Sequence, residues 1–124
     1  MFHSHDKSLK EDGNWASWAT QTFDIVRQLG REPHPGPKLE RWVRDAGFIN
    51  IQREKFKMPV GSWAKEKRLK EIGMLNLAQL LEGLEGFSLR SFCQVLGWER
   101  DELLDLLEKV RGEIMNKKAH AHID

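Results

Sequence analysis

The sequence has little of several features that mark common classes of protein. Its 124 residues include one cysteine, Cys93, and no tyrosine. One cysteine excludes an internal disulfide and is typical of a reducing compartment, where we expect this thiol to pack as a small apolar side chain. No run of about 20 apolar residues is present, which argues against a membrane-spanning helix. The first residues also lack the apolar segment of a secretory signal, so the sequence predicts a cytoplasmic protein without a membrane partner.

Charge of one sign is not in excess either. Twenty Lys plus Arg stand against nineteen Asp plus Glu, which leaves a net charge of +1. A chain with this balance has no global field to attract nucleic acid or an anionic membrane. Residues 53–70 are locally basic and include Phe56 and Trp63, but such a run is most often a solvated face. The balance therefore argues against nucleic acid as a partner.

Length and apolar spacing predict one mostly α-helical domain. Residues 1–13 are polar and predict a flexible leader, and residues 14–124 form the domain. The apolar residues recur with helical spacing over five stretches, residues 14–29, 37–46, 64–81, 89–96 and 100–115. We expect Gly83 and Gly86 to separate the third helix from the fourth. The second helix is expected to bury Leu39, Trp42, Val43 and Ala46.

One stretch has the alternation of a β-strand. Residues 48–56 place Ile49 and Ile51 on one face and polar residues on the other. A strand alone leaves its backbone donors and acceptors unpaired, so it needs a neighbour. Either one of the chain termini supplies that neighbour, or another chain does. The second alternative predicts a homodimer formed by strand exchange.

Several segments carry a family resemblance. Residues 37–51 read PKLERWVRDAGFINI and resemble the helix, Ala-Gly-Phe and strand passage that leads into the sixth strand of class I S-adenosylmethionine-dependent methyltransferases. The segments that resemble fungal methyltransferases of the secondary-metabolism regulator type are FKMPVGSW (56–63), KRLKEIG (67–73), LEGLEGFSL (81–89) and VLGW (95–98). His120-Ala121-His122 is similar to the opening of that family's last strand.

The resemblance covers only the C-terminal half of that family. It implies an α+β remnant in which helices surround one or two strands and correspond to the C-terminal half and lid of the methyltransferase fold. The other half holds the cofactor with a glycine-rich turn after a strand and an acidic residue on the ribose. Neither GxGxxG nor GxGxG occurs here. We therefore expect no cofactor, and no methyl transfer by this chain alone.

The resemblance also implies a substrate pocket under the lid helices. In related methyltransferases these helices cover the substrate, so this region would line a pocket for an apolar small molecule. The lining residues would be Trp63, Asn76, Gln79 and Trp98. For acid–base chemistry the candidates are Glu82, Asp101 and His120. The sequence does not identify an essential catalytic residue.

Two His-x-His pairs stand at the two ends of the chain. In an extended segment, His3 with His5 and His120 with His122 would each point to one side. Imidazole suits several transition metals, but neither pair has a close-spaced cysteine or a third ligand. The sequence therefore predicts solvated histidines and no metal site.

These observations favour one function and leave others open. The favoured hypothesis is a methyltransferase-like protein of fungal secondary-metabolite biosynthesis that lacks the S-adenosylmethionine site. It would act as a non-methylating accessory or small-molecule-binding module, with a second copy or a larger pathway protein as its partner. The alternatives are a cofactor-free cyclase or isomerase, one half of a split methyltransferase, and a gene remnant without activity.

Overall fold

The computed structural model describes residues 2–123, which form four α-helices and three very short strands. The helices are α1 (Asn14–Gln28), α2 (Leu39–Asp45), α3 (Lys67–Arg90) and α4 (Arg100–Ile114), and the strands are β1 (Phe2–His3), β2 (Met58–Pro59) and β3 (His122–Ile123). A 3-10 turn, Gly36–Lys38, leads into α2, and a π-helical turn, Ser91–Val95, continues α3. The mostly helical class predicted from the apolar spacing is confirmed.

Both ends of the described chain contribute to one small sheet. Its strand order is β1-β3-β2, and the central strand β3 is antiparallel to both neighbours. Ile123 lies opposite Phe2 on one side and opposite Met58 on the other. Both terminal segments therefore form strands, as one of the two alternatives allowed, but they pair with each other and with Met58–Pro59 and not with residues 48–56. The segment predicted as a leader includes β1, while Met1 lies outside the described residues.

The strand predicted over residues 48–56 is wrong. No part of that stretch forms a strand, and pairing with β3 begins only at Met58. Ile49 is 83% exposed, and Asn50 has a left-handed backbone with φ 57°, which interrupts an extended run. Alternation alone could not stabilise a strand here, because the register gives residues 48–56 no strand to pair with. The case for strand exchange rested on this stretch, so the homodimer stays a prediction without that argument.

The core lies between α1, α3 and α4. Helices α1 and α4 occupy the residues predicted for them to within one residue at each end, and Gly30, with φ +75°, ends α1 as expected. The fully buried side chains of α1 are Trp15 and Ile25, and α4 contributes Leu103 and Val110. With Trp18, Leu107 and Ile114, which are also buried, the residues on each helix recur every three, four or seven positions, as one face of a helix requires.

Helix α3 is longer than the sequence predicted. It runs unbroken through Gly83 and Gly86 to Arg90, so the expected break at these glycines and the separate helix over 89–96 are both wrong. Leu84 and Ser88, one turn apart, are buried at 0% and 1% exposure. Each internal glycine costs a helix about 1 kcal/mol, and burial of this face outweighs that cost.

Helix α2 has the predicted position but not the predicted burial. Leu39, Trp42 and Val43 are 46%, 44% and 37% exposed, so the expectation that they form a buried face is wrong. Phe48, Ile49 and Phe56, in the segment after α2, are exposed as well. We call these six side chains the α2 apolar surface. The predicted burial was wrong because helical spacing shows which residues share a face of the helix, but not whether another element covers that face.

Within residues 2–123, none of the helices combines the length and the apolar character that crossing a bilayer requires.

Candidate functional site

The sheet brings the two His-x-His pairs together. His3 lies opposite His122 in the β1–β3 pairing, with ring centroids 5.7 Å apart. The ring of His5 stacks on that of His122 at 4.9 Å and 17°. The sequence had indicated separate, solvated pairs, whereas His122 is buried. No group of three or more His, Cys, Asp or Glu side chains among the described residues has an arrangement that could hold a metal ion.

His120 has a carboxylate partner from the opposite end of the chain. Its Nδ1 lies 2.5 Å from Oδ2 of Asp6, and its backbone N–H donates to Ser8 Oγ at 2.7 Å. The ring also stacks on Trp63, with centroids 5.4 Å apart. A carboxylate that holds one imidazole nitrogen fixes the ring and its tautomer, an arrangement used by general acid–base catalysts. We call His120 and Asp6 the terminal dyad.

The carboxyl group of Asp6 is held in its charged form. Hydrogen bonds from the side chain and backbone of Ser8, followed by the interaction with His120, lower the pKa of Asp6 to about 2 from an ordinary 3.8. The carboxylate is therefore ionised at any physiological pH. The other two acid–base candidates, Glu82 on α3 and Asp101 in the first turn of α4, lie exposed.

Three of the four residues expected to line the lid pocket make contacts within the fold. Trp63 Nε1 donates to Ala121 O at 2.9 Å, and Asn76 Nδ2 donates to Pro59 O at 3.0 Å. Trp98 meets Phe92 edge to face, with centroids 5.4 Å apart. The fourth, Gln79, is exposed on α3. Trp63 and Asn76 lie near the sheet, and none of the four lines either of the two cavities described next.

One cavity lies between the N-terminal segment and α1. It has a volume of about 300 Å³ and is lined by apolar side chains, among them Phe2, Leu9 and Trp15. Lys7 and Lys10 line it too, together with one carboxylate, that of Glu11. We call it the N-terminal cavity. Its volume falls in the range of small-molecule sites.

Trp15 gives this cavity an unusual feature. The residue is 1% exposed, and its buried indole Nε1 has no hydrogen-bond partner among residues 2–123. Buried donors are nearly always paired, and an unpaired one costs about 1–3 kcal/mol. The ring of Phe2 packs on Trp15, with centroids 4.9 Å apart.

A second, more open cavity lies beside the proline-rich connector. It measures about 460 Å³ and is lined by residues 33–37 and 53–56 together with Leu39. Near it, Glu32 forms an ion pair with Lys38, and the hydrogen bond from Lys38 lowers the pKa of Glu32 below its ordinary value. The lining is polar and charged on the 53–56 side, where Arg53, Glu54 and Lys55 stand in a row.

Sequence reasoning missed the N-terminal cavity and Asp6. Asp6 and one wall of the cavity lie within residues 1–13, whose polar composition predicted a leader. The signal available was Phe2 and Leu9, the two large apolar side chains between Met1 and the first helix. Both pack against the core. Their spacing fits no regular element, so periodicity could not detect them.

Comparison with known proteins shows relatives over the whole chain. Methyltransferase pytC of Aspergillus terreus is 39% identical over all 124 residues, and the probable methyltransferase tdiE of Emericella nidulans is 30% identical over 96% of the chain. A secondary metabolism regulator of Cochliobolus heterostrophus is 27% identical over 94%. The chain spans 38% of the length of each of these relatives. No family model and no solved structure matches it.

Proposed function

The chain is a homologue of fungal methyltransferases and of a fungal secondary metabolism regulator and spans 38% of their length, and from this premise we propose its role. It is a methyltransferase-like protein of secondary-metabolite biosynthesis that has no S-adenosylmethionine site of its own. It acts in the cytoplasm as a non-methylating accessory or small-molecule-binding module. Its helices and sheet correspond to the C-terminal half and lid of the methyltransferase fold.

The glycines of the chain do not fit a cofactor cradle. A glycine-rich turn lets backbone approach the cofactor closely. Here the three glycines with a tight neighbour face the chain itself: Gly73 faces the backbone of Gly61, Gly83 faces the ring of Phe87, and Gly13 faces the Glu113 carboxylate. The remaining glycines have open space or a single ordinary contact beside them. These contacts support the proposal that this chain does not bind S-adenosylmethionine by itself.

The observation that carries the accessory role is the α2 apolar surface. Its six large side chains are exposed together on α2 and the segment that follows it, residues 39–56. We propose that these side chains form one patch, since exposed apolar patches are typical of a protein–protein contact. Since the relatives are more than twice as long, a larger pathway protein is the partner that we favour.

Calorimetry with S-adenosylmethionine tests the first half of the proposal. Titration into the isolated chain should give no heat of binding, and a dissociation constant in the micromolar range would overturn the missing-site claim. Binding that appears only after a second polypeptide is added would establish the split methyltransferase instead.

Copurification tests the accessory role. A tagged chain expressed in a filamentous fungus should recover a larger biosynthetic protein, and Trp42→Glu with Ile49→Glu should abolish that recovery. Leu75→Glu is the matched control, because Leu75 is 73% exposed on α3, outside the α2 apolar surface. Equal recovery with both variants contradicts the role given to this surface. Light scattering on the purified chain separates this outcome from a homodimer.

The terminal dyad favours a second function, that of a cofactor-free cyclase or isomerase. Its imidazole is oriented by an ionised carboxylate and supported by the ring of Trp63. Such an enzyme would convert a compound in an extract of fungal metabolites without any partner. His120→Gln and Asp6→Asn should both abolish that conversion, as followed by mass spectrometry. Two results would exclude the cyclase or isomerase function: conversion that persists in both variants, or no conversion by the unaltered chain.

A further inference from the structure

We propose that the N-terminal cavity binds an apolar small molecule that carries a carboxylate. This deepens the small-molecule-binding role and rests on the proposed function, but it moves the site away from the lid residues expected from the sequence. Three observations support it: the composition of the lining, the backbone of Lys7, and the unpaired indole N–H of Trp15.

The lining of the cavity has an apolar part and a positively charged part, as binding of an amphiphilic acid requires. Phe2, Leu9 and Trp15 supply aromatic and aliphatic surface for its hydrocarbon part. Lys7 and Lys10 supply two positive charges against the one negative charge of Glu11. Small-molecule sites typically combine apolar walls with a few placed polar groups of this kind. The excess of positive charge selects an anion over a neutral or cationic ligand of the same shape.

The loop that carries Lys7 has a defined shape. Lys7 has a left-handed backbone with φ 57°, which is uncommon for a residue with a side chain. Hydrogen bonds on both sides fix this conformation: Leu9 N donates to Ser4 Oγ at 3.1 Å, and Ser8 N donates to Asp6 Oδ1 at 3.0 Å. Strained backbone of this kind clusters at binding sites, where surrounding contacts maintain it.

The indole of Trp15 is the third observation that indicates a ligand, and it is independent of the other two. Its Nε1 is buried, lies in a residue that lines the cavity, and has no acceptor among the described residues. A ligand oxygen would provide that acceptor after a neighbouring side chain moves, because the atom itself is covered. Phe2, in a two-residue strand at the edge of the sheet, is the neighbour whose ring packs on Trp15.

Binding of 2-naphthoate tests the proposal, with 2-naphthamide as a neutral probe of the same shape. Calorimetry should show at least tenfold tighter binding of the carboxylate. Lys7→Gln and Lys10→Gln should each weaken its binding about two- to fivefold, the effect expected of partly exposed ion pairs. Lys117→Gln, at an exposed lysine outside the cavity, should leave the affinity unchanged.

Two further measurements exclude an indirect effect. Lys7→Gly relieves the left-handed backbone while removing the charge, so it should weaken naphthoate binding without lowering the unfolding midpoint. In a nitrogen–proton correlation spectrum, naphthoate should shift the indole signal of Trp15, assigned through Trp15→Phe. The signal of Trp63, which donates to Ala121 O, should shift less.

Three results would overturn the proposal: equal affinity for naphthoate and naphthamide, equal affinity of the Lys7 and Lys117 variants, or an unshifted Trp15 signal. None of them bears on the absence of S-adenosylmethionine binding or on the α2 apolar surface. The cavity assignment can therefore fail while the proposed function stands.

Discussion

Replacing Gly73 by alanine should loosen the contact between α3 and the turn after β2. A Cβ atom at position 73 would lie 2.0 Å from the carbonyl oxygen of Gly61 and 3.3 Å from Pro59 Cβ, whereas ordinary contact begins at 3.4 Å. The obstacle is backbone, so no side-chain rotation relieves it. The two segments must separate by about 1.4 Å, the difference between 3.4 Å and 2.0 Å.

That separation breaks identifiable bonds. Gly61 N donates to Gly73 O at 2.8 Å, and Asn76 Nδ2 donates to Pro59 O at 3.0 Å. Two such bonds contribute about 2 kcal/mol, and loss of packing at the buried residue Val60 adds about 1 kcal/mol. Alanine returns about 1 kcal/mol as the better helix former. The free energy of unfolding should therefore fall by about 2 kcal/mol.

Two other glycines of the same helix are matched controls. Gly86 has open space beside it, so Gly86→Ala should raise the free energy of unfolding by about 0.5–1 kcal/mol. At Gly83 the obstacle is the exposed and flexible ring of Phe87, so Gly83→Ala should have an effect near zero. Urea denaturation followed by circular dichroism measures all three. If Gly73→Ala stabilises the protein as much as Gly86→Ala, the close backbone approach is refuted.

Substitutions at three further side chains, those of Asp6, Trp18 and Glu113, test individual sets of contacts. The pKa of Asp6 is lowered in the folded state, so its carboxylate stabilises the fold above pH 3.8, and that contribution is lost as the pH falls toward 2. The difference in urea midpoint between the unaltered chain and Asp6→Asn should therefore vanish as the pH falls over that interval. Trp18→Phe removes the 2.7 Å bond to the buried Ser88 hydroxyl and should cost about 1–3 kcal/mol, part of which Ser88→Ala in the same chain restores. The Glu113 carboxylate accepts hydrogen bonds from the first two backbone N–H groups of α1, at 2.7 and 3.0 Å. Glu113→Ala should therefore lower the free energy of unfolding by about 1–2 kcal/mol in the same denaturation experiment. Glu113→Gln should lower it by less.

Helices α1 and α4 could be predicted from the sequence because each combines a full apolar face with a local end signal. Gly30 lies just beyond α1, and Asp101 and Glu102 occupy the first turn of α4, where acidic side chains favour the helix dipole. Such signals act within one or two turns of the chain. They are therefore visible without any knowledge of the tertiary structure.

The errors occur where distant contacts decide. Helix α3 passes through two glycines because Leu84 and Ser88 are buried by other helices. Residues 48–56 alternate as a strand does, yet no strand of the sheet lies beside them. In both cases the presence or absence of a partner remote in sequence decides the outcome, and local pattern cannot reveal it.

Contacts between residues distant in sequence also form the candidate site. His120 was identified from its residue type, but its partner Asp6 lies 114 residues earlier. The N-terminal cavity, with Lys7 and Trp15, forms because β1 pairs with β3. Sequence reasoning names chemically capable residues, and the fold decides which of them meet.

The three candidate roles depend on different side chains, and this separates them experimentally, although residues 6–8 serve both the terminal dyad and the N-terminal cavity. The terminal dyad requires His120, the N-terminal cavity requires Lys7, and the α2 apolar surface requires Trp42. Effects at sites without shared partners are nearly additive, so Trp42→Glu with Ile49→Glu should abolish partner recovery alone. His120→Gln should abolish turnover without weakening binding of the acid, because Lys7 and Lys10 are unchanged. Lys10→Gln, at a position outside the loop of residues 6–8, should weaken binding of the acid alone. If a variant of the α2 apolar surface also weakens naphthoate binding, the partner and the ligand act through one site, and the separation of accessory and binding roles is wrong.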